Sequence, residues 1–163
     1  FTSDEPHLGE TSLECSRAGA AAAALWLTLA VFPLRRDEGL GPMLAACRRA
    51  ALRFAQLVDA DERLTLHVEP ELDIVTWLVS RPTLSEVDAA SAALLAAGMR
   101  DAEDPVFLST LRLGADALLA RHPGLARDAG GARVLRSVLM KPEHEGFADR
   151  LHARVRELAG SRH

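Results

Sequence analysis

The sequence predicts an α+β domain. Stretches near the start, in the middle and at the end repeat apolar residues at spacings of three and four, as helices with one inward face do. Between them lie segments that alternate apolar and polar residues with the period of two that strands show. The chain has 163 residues, about one domain's worth, enough to bury roughly 70% of its unfolded surface in a single core. The order helix, helix, strands, helix, strands, helix predicts long N-terminal helices followed by a mostly antiparallel sheet covered by helices.

Taken in order, "SLECSRAGAAAAALWLTLAVFP" opens the first helix. Ser16 is placed to cap it, strong helix formers follow to about Phe32, and Pro33 cannot continue it. Its small and apolar composition predicts a buried helix, with Trp26 in the core. After the polar turn "LRRDEGLG", Leu44, Cys47, Ala51, Phe54 and Val58 form an apolar stripe over about Pro42 to Asp59, with Arg48, Arg49 and Arg53 turned outward to solvent. "RLTLHVEPELDIVTWLVSR" reads as two strands broken at Glu69-Pro70-Glu71. Thr83 to Gly98 returns to helical spacing, with Ser85 and Asp88 as a variant capping box, Val87, Leu94 and Ala97 facing inward, and Gly98 as the C-cap. "PVFLSTLRLG" and "ARVLRSVLMKP" predict an antiparallel strand pair separated by an excursion from Gly114 to Gly131, which is too long for a tight hairpin. A last helix from Glu145 to Ala159 turns Phe147, Leu151, Val155 and Leu158 inward and leaves Arg150, Arg154 and Arg156 exposed.

Composition excludes several classes of partner. The net charge of −4 is spread without an acidic or basic block, so neither a nucleic-acid face nor an anionic-membrane anchor is expected. The apolar run from Gly19 to Phe32 is shorter than the ~20 residues that span a bilayer. Two cysteines, Cys15 and Cys47, are too few for a disulfide framework and read as reduced packing residues of a cytoplasmic protein.

Most catalytic constellations are missing. The sequence has no GxGxxG, GxxxxGK, CxxC, HExxH or GxSxG. Its six histidines are scattered, and His144 and His152 stand two helical turns apart, too far for one metal. Glu143 and His144 fall at a helix start, where acidic residues complement the dipole, and Lys141, the one lysine, reads as a solvated strand-end residue. The opening stretch offers more: the exposed N–H groups of a helix start, the Ser16 hydroxyl, the planar Arg17 cation and the small Ala18, Gly19 and Ala20 are the parts of an anion site. The same residues also read as an ordinary N-cap beside a surface arginine.

With "GLGPML" after it, the opening stretch resembles the segment following the active-site lysine in pyridoxal-phosphate-dependent amino-acid decarboxylases of the group that includes the aromatic amino acid and glutamate enzymes. Ser16, Arg17, Trp26, Gly39 and Gly41 carry that resemblance. "PELDIVTWLV", "FLSTLRL" and "VLRSVLMKP" are similar to later strands of the same family, in the same order. The resemblance implies the C-terminal small domain of an aspartate-aminotransferase-like (fold type I) enzyme. Residues 1–15 would be an extended lead-in from an upstream large domain, 16–60 long connecting helices, and 61–163 the α+β small domain.

By the same resemblance, Ser16 and Arg17 would approach the phosphate of pyridoxal 5'-phosphate held mainly by the other subunit of a homodimer or by a companion chain carrying the large domain. The family's lysine, its ring-nitrogen carboxylate and its ring-stacking group all precede the matching segment, and its His-Lys pair is absent here. The implied activity, decarboxylation of a small amino acid, would therefore depend on another segment or chain. The Gly114 to Gly131 excursion would cover the mouth of the site or decorate the surface. Two other readings stand beside this one: a non-catalytic α+β interaction or regulatory module, and a family member that keeps the fold without the activity.

Overall fold

The computed structural model describes residues 19–160. The order is α1 (Gly19–Val31), α2 (Leu40–Asp59), β1 (Leu64–Val68), β2 (Ile74–Val79), α3 (Leu84–Arg100), β3 (Ser109–Gly114), α4 (Ala115–Arg121), β4 (Gly131–Val138) and α5 (His144–Gly160). The chain divides into two compact units, 1–42 and 43–163.

Within the first unit, α1 ends before Pro33 and a tight turn follows. Leu40 N–H donates to the Pro33 carbonyl at 3.0 Å, and Leu34 bridges Gly39. Gly39 has φ +62°, and a Cβ there would stand 2.3 Å from the Pro33 carbonyl oxygen, so the turn requires glycine.

The second unit is an α+β domain on a four-stranded antiparallel sheet of order β1-β2-β4-β3. Alternation along β2 and β4 divides its side chains between two faces. Val75, Trp77, Val79 and Leu135 join Phe54, Ala51 and Val58 of α2, Leu94 of α3, and Leu151 and Val155 of α5 in the larger core cluster. Trp77 is fully buried, meets Phe54 edge-on at 6.2 Å between centroids, and donates its indole N–H to Ser137 Oγ at 3.0 Å. The other face carries a smaller cluster in which Leu78, Ala132 and Val134 meet Leu118 and Ala115 of α4.

Several expectations need correction. The cap of α3 is Thr83, whose Oγ1 accepts from Glu86 N–H, while Asp88 turns to β4 instead of capping. The helix does not stop at Gly98: it runs to Arg100, with Asp101 as its C-cap. Gly98 is there because Val106 crosses the helix, its N–H donating to the Gly98 carbonyl at 3.0 Å. The 114–131 excursion contains α4 and packs against the sheet. It buries Leu118, and Asp128 accepts the Ser85 N–H at 2.9 Å and the Ser85 hydroxyl, bonds that lower its pKa to about 2.

Candidate functional site

Ser16 and Arg17, the residues predicted to approach a cofactor phosphate, lie outside the described residues, as do Cys15, His7 and His163. The helix they were expected to open is described from Gly19. No residue of α1 is buried and Trp26 is 72% exposed, so neither the buried helix nor the core tryptophan is found. The helix is apolar nearly all round, a composition that ordinarily accompanies burial, but among the described residues nothing packs over it.

Lys141 is exposed, in the turn between β4 and α5. An amine that holds an aldehyde cofactor must be withdrawn from water to lose its proton near neutral pH, and Lys141 is not. The described residues therefore do not fit the covalent end of a pyridoxal phosphate site. They also contain no group of three histidine, cysteine or carboxylate side chains able to hold a metal. His144 begins α5, and its Nδ1 faces the Lys141 N–H at 3.4 Å. Cys47 is buried in α2, where desolvation raises its thiol pKa, as suits a packing residue.

The arginines expected to be solvated are mostly engaged. Arg49 grips Glu145 through two bonds of 2.6 and 2.9 Å, and Arg53 grips Asp149 in the same fashion, tying α2 to α5. Arg154 was expected on the exposed side of α5, yet its side chain is only 12% exposed and meets Asp101, at the end of α3, and Glu157. Between α3 and β4, Arg133 donates from Nε and from its terminal nitrogen to the two oxygens of Asp88, each at 2.9 Å. These pairs hold elements together; Arg154 also borders a cleft of about 190 Å³ with Val106, Phe107, Leu139 and Phe147.

A different cluster was missed by the sequence reading. His67 sits in β1 where the register with β2 slips between Leu66 and Val68. Its Nδ1 lies 3.1 Å from Nε2 of His122, the residue that ends α4. Both rings are half-buried, and their pKa values are lowered first by desolvation; the Arg121 charge lowers both further, and His122 lowers that of His67. Beside the pair is a cleft of about 380 Å³ bordered by Thr65, Ser80, Arg81, Arg121 and His122. The Thr65 and Ser80 hydroxyls are 2.8 Å apart. No local spacing announces this cluster, because the two histidines are brought together across the fold.

No family model matches the sequence, and no curated protein matches it. Solved structures do. Mouse CSAD in its apo form matches 97% of this chain and 32% of that one, with TM-score 0.63 and 15% identity. The glutamate decarboxylase domain of a Vibrio parahaemolyticus diaminobutyrate-pyruvate transaminase and L-2,4-diaminobutyrate decarboxylase matches 85% of this chain and 25% of that one, with TM-score 0.55 and 16% identity. Oryza sativa TDC, solved with PLP and tryptamine, matches 83% and 26%, with TM-score 0.57 and 17% identity. This chain shares its fold with part of known amino-acid decarboxylases. It spans 25% to 32% of the length of those three proteins. Among the described residues no helix is long and apolar enough to cross a membrane.

Proposed function

We propose that this chain is the C-terminal small domain of a pyridoxal-phosphate-dependent amino-acid decarboxylase, a carboxy-lyase whose cofactor-holding lysine is on another segment or chain. The observation that carries this is the match of fold over most of the chain to several decarboxylase structures. Fold alone does not dictate function, so the site must agree. Here the exposed Lys141 agrees with a lysine supplied from elsewhere. On this reading Ser16 and Arg17 stand on the phosphate side of the cofactor, near an interface with a homodimer partner or a companion chain. The nearly all-apolar α1 would be covered in that assembly, since helices that are apolar all round are ordinarily buried.

Exposure of α1 equally favours a second reading, a non-catalytic module that docks a partner protein through this helix. Cofactor affinity separates the two. In the assembled protein, Arg17→Ala should weaken pyridoxal phosphate retention by about 1 to 3 kcal/mol, the range for losing a charge-assisted hydrogen bond. Unchanged retention would remove Arg17 from the phosphate side, and an assembly that retains no cofactor at all would favour the module.

A further inference from the structure

The cleft beside His67 and His122 concentrates positive charge without an acid to balance it. Arg81 follows β2, Arg121 closes α4, and His122 comes immediately after; none of the residues bordering this cleft is acidic. On neighbouring surfaces the pattern is the opposite: Arg112 and Arg133 both meet Asp88, and Arg127 meets Asp116. Neither Arg81 nor Arg121 has a carboxylate partner among the described residues, and the one bond Arg81 makes is to the Ser80 carbonyl, at 2.8 Å. Glu86 borders a separate, larger cleft that Arg81 also touches, and makes no ion pair with it.

Neutral donors complete the cleft. Of the two hydroxyls 2.8 Å apart, one donates to the other, which leaves the second hydrogen for a ligand. Guanidinium groups add planar forks of donors suited to the oxygens of phosphate or carboxylate. His67, from β1, occupies Nε2 of His122 and so fixes that ring at the edge of the cleft.

We propose that this cleft binds a small oxyanion of phosphate or carboxylate chemistry, held by Arg81 and Arg121 with Thr65 or Ser80 donating and His122 at its side. The residues that form it all lie within residues 43–163.

The test is a titration of the 163-residue protein with inorganic phosphate and, separately, with acetate, followed through the imidazole resonances of His67 and His122 by NMR. Sodium chloride at matched ionic strength is the reference. Saturable shifts at both rings and an upward move of the His122 titration are expected, because a bound anion offsets the Arg121 charge that opposes its protonation. Response to phosphate alone identifies a phosphate site, and response to acetate alone a carboxylate site. The double variant Arg81→Gln/Arg121→Gln should lower the affinity about tenfold or more while leaving the fold intact, since both side chains are exposed. Shifts no different from those in chloride, or unchanged affinity in a folded double variant, would overturn the proposal.

Discussion

Asp88 on α3 holds Arg133 on β4 at three points: the guanidinium reaches both carboxylate oxygens at 2.9 Å, and the Arg133 backbone N–H donates to Oδ1 at 2.8 Å. A helix is thereby fastened to a strand of the sheet. Asp88→Asn should cost about 1 to 2 kcal/mol in chemical denaturation, the lower part of the range for bonds to a charged group because the pair is partly solvated. The Arg133 bonds hold the Asp88 carboxyl below its ordinary pKa, so their contribution is present above the usual aspartate range and lost as pH falls through the folded value. Acid unfolding of the Asn variant should lack that component; an identical acid limb would contradict the assignment.

Gly98 should reject a methyl group. In an exposed helix interior, Gly→Ala stabilises by about 1 kcal/mol. Here a Cβ would stand 2.9 Å from the Val106 carbonyl oxygen and 3.3 Å from Leu158 Cδ1, both in a packed region. The sign should therefore reverse, with Gly98→Ala destabilising by about 1 to 3 kcal/mol, as overpacked sites do. A rise in thermal midpoint would show that the 106 segment does not cross α3 as described.

The two tryptophans should report opposite environments. Trp26 is 72% exposed on α1, whereas Trp77 is fully buried against Phe54. In the dilute 163-residue chain, Trp77→Phe should leave red-shifted emission that acrylamide quenches readily. Trp26→Phe should leave blue-shifted, shielded emission. Equal shielding of the two would contradict an uncovered α1.

Local signals in the sequence were enough where local physics decides the structure. The alternation of Leu64 to Val68 and of Ile74 to Val79, and the Phe54 and Val58 stripe, predicted elements that the fold contains. The antiparallel pairing of β3 with β4 was legible as well. Where the reading failed, a distant residue had intervened. Gly98 carries the signature of a C-cap, yet the Val106 backbone is what requires it. Asp88 suits a capping box, yet Arg133 claims it. Hydropathy marked α1 as buried without saying what would bury it, and Trp26 stands in solvent. His67 and His122 lie on different elements with no shared motif, so only the folded chain brings their rings within 3.1 Å.

The most direct test of the decarboxylase reading is to isolate the protein with its natural partners, reduce it with borohydride so that any pyridoxal phosphate becomes fixed to its lysine, and map the modified peptide by mass. The account predicts a pyridoxyl group on a lysine that is not Lys141. Modification of Lys141 itself, or an assembly with no fixed cofactor, would contradict it.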